Sequence, residues 1–305
     1  MEGLLAHSLL VVTGKGGVGK STVAAALGLR ASGRGLRTIV AEVAARDDVS
    51  PVLGASSAPD AHGERVISDR LHHISIDPQR AMEEYLRKQL PMGALAAPLS
   101  RSRIFSTLTA ATPGMRELLT IGKVWELAQQ GRRSSRAAAP YDLVVLDAPA
   151  TGHGLALLEA PGTFASVARV GPVAEQGRAI ASFLQDPGRT AVLTVSSAEE
   201  MAVNETLQLR SRLREDLGLE VGLVVVNAVV PHRFSGAEER KLRAAPPSPA
   251  RRAALFAAGW AAHQRAQIAR LRQGLQGVEL VTLPFVFGSA LDRTALEGLS
   301  RELEV

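Results

Sequence analysis

The chain has 305 residues with 35 Lys and Arg against 30 Asp and Glu, a formal net charge of +5 and 46% hydrophobic residues, the make-up of a globular protein with enough chain for one large or two small domains. Cysteine is absent, which excludes disulfides, thiolate zinc sites, iron–sulfur ligation and a cysteine nucleophile. No apolar run reaches the ~18 residues that would span a bilayer, and no basic leader precedes the first strand, so a cytoplasmic location is expected.

The first predicted strand, Ser8 to Thr13, runs straight into Gly14-Lys15-Gly16-Gly17-Val18-Gly19-Lys20-Ser21. This fits G-x-x-x-x-G-K-[ST] at every fixed position, and a helix from Thr22 to about Ser32 follows, ending at Gly33. The chemistry needs these residue types. Gly14, Gly16, Gly17, Val18 and Gly19 let backbone N–H groups turn inward around phosphates, and the helix N-terminus, with Thr22 in its first turn, adds partial positive charge. Lys20 reaches the β- and γ-phosphates, and the Ser21 hydroxyl holds Mg²⁺. Lysine is used sparingly here, at positions 15, 20, 88, 123 and 241 only, yet two of the five stand in this loop. A compact ammonium fits among phosphate oxygens where a planar guanidinium is not equivalent.

Further along come Thr38 to Ala41, then a polar loop from Gly54 to Gly63, then His73 to Asp77, and later Tyr141 to Asp147, Thr190 to Val195, Val221 to Asn227 and Glu279 to Pro284. Apolar runs without alternation predict strands covered on both faces, hence a doubly wound, mostly parallel α/β sheet with ligands at the strands' carboxyl ends. A capping box at Ser197-Ala198-Glu199-Glu200 predicts a helix carrying Val203, Leu207, Leu213 and Leu217. Residues 78–139 and 152–186 are rich in helix formers and contain no convincing strand. They are read as helical inserts forming a subdomain above the nucleotide edge of a single domain spanning 1–305. Their apolar residues Leu95, Leu99, Ile104, Phe105, Leu108, Met115, Leu118, Leu119, Ile121 and Trp125 form that subdomain's core or a groove for a client helix. The histidines lack ligand-like pairing, since neighbours His72 and His73 point to opposite faces of a strand. The acid ending Tyr141 to Asp147 is the usual second carboxylate on Mg²⁺ or its waters.

Lys15 gives the loop the K-G-G-V-G-K-S form, which resembles the deviant phosphate loop of the ParA/MinD, nitrogenase iron-protein and arsenite-pump ATPases. There the extra lysine reaches across a dimer interface to the partner's nucleotide, which implies the same for Lys15. Asp147-Ala148-Pro149-Ala150-Thr151-Gly152-His153-Gly154-Leu155 resembles the second switch of the arsenite-pump/tail-anchored-protein-targeting (ArsA-type) ATPases. Ser75-Ile76-Asp77-Pro78, Ile121-Gly122-Lys123-Val124-Trp125-Glu126, Val225-Val226-Asn227 and Leu283-Pro284-Phe285 extend the likeness over residues 8–300. The resemblance implies an ATP- and Mg²⁺-dependent hydrolase acting as a homodimer, or paired with a paralogous ATPase, and coupling nucleotide state to a protein client. It implies that Asn227 reads the adenine edge while the loop at Pro284 and Phe285 walls the base.

The first switch of that family opens D-P-A-H, with the aspartate orienting the attacking water. Here Glu42 takes the aspartate's place in Ala41-Glu42-Val43-Ala44-Ala45-Arg46-Asp47-Asp48, and Asp47 is its rival. Lys15, Lys20, Glu42 and Asp147 are therefore the expected catalytic set. The cysteines that bind arsenite or zinc in branches of the family have no counterpart, which disfavours arsenite transport. The alternatives are a ParA/MinD-like module that binds a surface when nucleotide is bound, or a weakly catalytic subunit. Diffuse arginine on the segment holding Arg251, Arg252, Arg265, Arg270 and Arg272 reads as a solvated face, so nucleic acid is not the expected partner.

Overall fold

The computed structural model describes residues 2–43, 47–55, 57–60, 62–89, 114–129, 140–168, 170–288 and 291–303. Eight strands form one sheet: β1 (Leu9–Gly14), β2 (Thr38–Glu42), β3 (Glu64–Ser68), β4 (Leu71–Ser75), β5 (Leu143–Asp147), β6 (Thr190–Ser197), β7 (Val221–Val229) and β8 (Glu279–Pro284). Their order is β3-β4-β2-β5-β1-β6-β7-β8, and every neighbouring pair is parallel except β3 with β4. The expected doubly wound, mostly parallel sheet is present. From β1 the chain crosses to β2 on one side and later returns to place β6 on the other. That reversal opens a crevice at the carboxyl end of β1, where such folds bind ligands.

The helices among the described residues are α1 (Glu2–Leu5), α2 (Lys20–Gly33), α3 (Val49–Val52), α4 (Pro78–Gln89), α5 (Met115–Ala128), α6 (Thr151–Ala168), α7 (Pro172–Gln185), α8 (Glu200–Leu217), α9 (Gly236–Ala244), α10 (Pro249–Leu275) and α11 (Arg293–Glu302). Alternate residues of each central strand feed two cores. Leu10, Val12, Val40, Val145 and Leu193 pack with Val23 and Leu27 of α2 and Leu296 and Leu299 of α11. On the other face Leu9, Val11, Val144 and Leu146 pack with Ile121 of α5, Leu157 of α6, Phe183 of α7, Leu213 of α8 and Leu271 of α10. Helices α5 to α7 thus share one core with the sheet, because a strand covered on both faces needs an apolar partner on each.

Two local expectations are corrected. The strand β3 lies between the Gly54 to Gly63 loop and the His73 run, where no strand is expected because its apolar pair Val66-Ile67 is too short to read as a buried run. It is an antiparallel edge strand with Val66 and Ser68 exposed, and an edge strand needs no apolar residues on its outer face. The capping box at Ser197 is absent: Ser197 is the last residue of β6, and the N-cap of α8 is Glu199 in extended conformation with no side-chain cap. A reciprocal capping box instead opens α9, where the Ser235 and Glu238 side chains each bond the other's backbone N–H. Of the apolar insert residues, Leu95, Leu99, Ile104, Phe105 and Leu108 lie outside the described residues. Leu119 and Ile121 are buried in α5, with Leu118 and Trp125 packed against the core.

Candidate functional site

Gly14 ends β1 at φ +143°, where a Cβ would overlap the Val195 carbonyl oxygen of β6, so only glycine lets the loop leave the sheet this close to its neighbour. Gly19 caps α2 at φ +89° and ψ +33°, a left-handed conformation that glycine adopts without strain. A Cβ there would strike the Asn227 side-chain amide, whose Nδ2 donates to the Val18 carbonyl oxygen at 3.0 Å. The chain between them, with Gly16, Gly17 and Val18, forms an arch leading into the N-terminus of α2, the setting in which backbone N–H groups and the helix dipole receive an anion. Thr22 is half-buried in the first turn of that helix.

Three polar side chains converge on the arch. Lys20 Nζ donates to the Lys15 carbonyl oxygen at 3.1 Å. Burial lowers its pKa from the ordinary lysine value, opposed by the charges of Asp147 and Glu205. Ser21 Oγ donates to Asp147 Oδ2 at 2.6 Å. Asp147 ends β5 beside Val12 of β1, and its Oδ1 is buried with no hydrogen-bond partner. Burial pushes the Asp147 carboxyl up to about 6; the Ser21 hydrogen bond and Lys20 pull it down, and the Glu42 charge adds to the rise.

Lys15 points to α8, its Nζ 2.7 Å from Glu205 Oε2, while the Thr151 hydroxyl at the start of α6 donates to Glu205 Oε1 at 2.6 Å. These donors hold the Glu205 carboxyl below the usual range. The loop lysine, the segment after Asp147 and α8 therefore meet on one carboxylate.

Glu42 is buried at the end of β2, directly opposite Asp147 in the β2–β5 pairing. Its carboxylate accepts the N–H of Asp48 at 3.1 Å and of Val49 at 3.4 Å, and His73 Nε2 lies 3.3 Å from Oε2. Asp47 stands beside it, with Oδ2 3.0 Å from Arg65 and Oδ1 accepting the Ser50 N–H at 3.2 Å. Burial favours the neutral acid at Asp47, but the Ser50 hydrogen bonds with the His73 and Arg65 charges outweigh it and hold the carboxyl below its ordinary value. Glu42, Asp47 and His73 present ligand atoms within 4.8 Å of one another, but backbone N–H groups and Arg65 already engage the two carboxylates. At the opposite wall, Pro284 pairs with Val229 and the Phe285 N–H donates to the Val229 carbonyl at 2.9 Å, two residues past Asn227.

The fold thus gathers Lys15, Lys20, Ser21, Asp147 and Asn227 around one arch, sets Glu42 and Asp47 along the β2 side and places Pro284 and Phe285 along the β7 side. Sequence reasoning did not find Glu205, which occupies an ordinary polar position of a helix. Nor did it find His73 as the neighbour of Glu42, since contact across two parallel strands leaves no local pattern.

A family profile described as anion-transporting ATPase matches residues 7–171 and 165–303. Among similar proteins, ATPase BagA of Mycobacterium tuberculosis (strain H37Rv) is 30% identical over 226 residues, covering 73% of this chain and 65% of its own length. The arsenical pump-driving ATPase of Escherichia coli is 26% identical over 310 residues, 97% of this chain and 49% of its own. A putative arsenical pump-driving ATPase of Chlorobaculum tepidum is 25% identical over 270 residues, 73% of this chain and 61% of its own. The chain spans less than two thirds of the length of each of these relatives.

Proposed function

The chain belongs to the anion-transporting ATPase family, and on that premise we propose that it binds MgATP at the arch after β1 and hydrolyses it to ADP and phosphate, as a dimeric switch coupled to a protein client or partner. The observation that carries this reading is the Ser21–Asp147 contact at 2.6 Å beside the buried, unpartnered Asp147 Oδ1. A hydroxyl and a carboxylate oxygen lacking its own donor form the hard oxygen set that Mg²⁺ takes. Ser21 and Asp147 would hold Mg²⁺ there, and the ion would supply charge neutralisation for the phosphates.

The chain's own residues supply positioning and charge. Backbone N–H groups from Gly16 to Lys20 hold the phosphates, and Lys20 moves from the Lys15 carbonyl to the β,γ-oxygens. Asn227, fixed to Val18, offers its remaining amide capacity to the adenine edge, and Pro284 and Phe285 wall the base. Glu42, level with Asp147, orients the attacking water or accepts its proton, with Asp47 as the alternative. Lys15 leaves Glu205 to meet the nucleotide of a second chain, either another copy or a paralogue. The client reading is supported by a cavity of about 450 Å³ between α4, α5 and α7, lined by Met82, Tyr85, Leu118, Trp125, Val173 and Ile180 among others. The chain has no cysteine and so no thiolate set for a soft metalloid, and arsenical transport forms no part of the proposal.

A second reading, a slow catalyst that works beside a more active paralogue, is favoured by the engagement of both Glu42 and Asp47 with N–H groups and cations. The test is phosphate release by the purified chain from ATP with Mg²⁺ and with chelator. Mg²⁺-dependent release supports hydrolysis. Tight MgATP binding without multiple turnover favours the slow-subunit reading, and failure to bind MgATP contradicts both.

A further inference from the structure

The exit of β7 carries a conformation that its residue does not favour. Ala228 is the only described non-glycine residue with φ in the left-handed region, at +58°, where a Cβ is crowded against the following carbonyl. The distortion coincides with a register shift: Val226 pairs with Thr282 and Val229 with Pro284, three steps on β7 against two on β8. An extra residue in one strand re-aims the side chains beside it. Asn227 sits in this bulge with its amide turned onto Val18 and Gly19 of the arch.

One side chain holds the bulge from both sides. Gln264 of α10 is 4% exposed. Its Nε2 donates to the Ala228 carbonyl oxygen at 3.2 Å, and its Oε1 accepts the Val230 N–H at 2.8 Å. A buried amide with donor and acceptor both spent on one kinked backbone enforces that kink, because relaxing it would leave buried polar groups unpaired. One turn earlier on the same helix, Trp260 packs edge-on against Phe285 with ring centroids 5.9 Å apart. Phe285 is in turn bonded by its N–H to Val229. Helix α10 therefore grips both strand ends of the base side, one with an amide and one with a ring.

We propose that Gln264 is a positioning residue for base recognition: by clamping Ala228 in the left-handed conformation it aims Asn227 at the purine edge and so sets selectivity for adenine over guanine. The inference rests on the reading of Asn227 as the base-reading side chain. An amide that accepts from the adenine 6-amino group meets an acceptor, the 6-oxo group, in guanine, so its aim decides discrimination.

The experiment measures affinities for MgATP, MgGTP and inorganic tripolyphosphate in wild type, Asn227→Ala, Gln264→Leu and Gln264→Leu with Ala228→Gly, each checked for folding by circular dichroism. Gln264→Leu is expected to lower the ATP-over-GTP ratio roughly tenfold, the scale of one hydrogen bond in a binding site, with tripolyphosphate affinity unchanged. The added glycine, which adopts positive φ without a clamp, restores most of the ratio. That rescue separates positioning from general packing, because packing lost with Gln264 is not returned by removing a methyl group elsewhere. A ratio unchanged by Gln264→Leu but lowered by Asn227→Ala overturns the clamp and leaves the base-reading role standing. A ratio unchanged by both overturns the two together. A parallel loss of tripolyphosphate affinity in Gln264→Leu, unrescued by glycine, assigns Gln264 to structure alone and overturns the proposal. Where Gln264→Leu does not fold, Gln264→Glu decides in its place. It keeps the acceptor for Val230 and loses the donor to Ala228, and an unchanged ratio there also overturns the proposal.

Discussion

Lys15 and Glu205 form a 2.7 Å ion pair between the arch after β1 and α8, and the same carboxylate accepts the Thr151 hydroxyl at 2.6 Å. A lysine that serves a second chain's nucleotide must first leave this pair. Both side chains are about 30% exposed, so the pair costs no more than about 1 kcal/mol to break. Glu205→Gln is expected to favour the ATP-paired state by up to roughly fivefold, read as a lower concentration for ATP-dependent dimerisation in sedimentation. Weaker pairing would make Glu205 a contributor to the assembled state and not a resting place for Lys15.

Glu42 and Asp47 compete for the role of orienting water, and their surroundings separate them. Glu42 is buried level with Asp147, whereas Asp47 is partly exposed and paired with Arg65. Glu42→Gln is expected to retain MgATP binding and lose about 10²-fold in single-turnover hydrolysis, with Asp47→Asn losing less than about tenfold. The reverse ranking transfers the role to Asp47.

Asp147 gives a signed pH prediction for the protein free of nucleotide and Mg²⁺. Its native pKa is raised from 3.8 to about 6, so between those values the native state binds more protons than the unfolded state, and stability falls as pH rises through that window. Asparagine is neutral throughout. Asp147→Asn is therefore expected to be the more stable variant at pH 7–8 by up to about 3 kcal/mol, with the gap closing near pH 4. Urea denaturation with chelator present measures it, and a destabilised Asp147→Asn at pH 8 would contradict a carboxylate whose burial outweighs its Ser21 hydrogen bond and the Lys20 charge.

Most of the sheet was legible because its central strands are covered on both faces and read as unbroken β-branched runs. The arch was legible because Gly14, Gly19, Lys20 and Ser21 stand at fixed spacing within eight consecutive residues, whatever long-range neighbours the glycines meet. The edge strand β3 was not, since an exposed antiparallel strand carries no such run. The capping box was misplaced by one helix, because a Ser-x-x-Glu spacing also occurs where β6 runs on through Ser197. Glu205 and Gln264 were invisible for a different reason: each acts through a contact distant in sequence, and a polar residue on a helix reads as solvated until its neighbour is known.

Coupling to a client predicts that nucleotide reaches α5, because the segment after Asp147 leads into α6, which packs on α5. Hydrogen exchange over Met115–Ala128 is expected to slow when a non-hydrolysable ATP analogue binds. Unchanged exchange with the analogue bound would leave the cavity beside α5 as packing space.

The central claim, that the arch after β1 is the catalytic phosphate site, is tested most directly by ATP turnover of Lys20→Ala beside wild type. On the proposed reading, Lys20 is the cation of the arch that reaches the transferring phosphoryl group of the chain's own nucleotide. Its removal is expected to reduce Mg²⁺-dependent turnover by at least about 10²–10³-fold, as for other groups that stabilise developing charge, while the fold persists by circular dichroism. Turnover by Lys20→Ala equal to that of wild type would contradict the assignment.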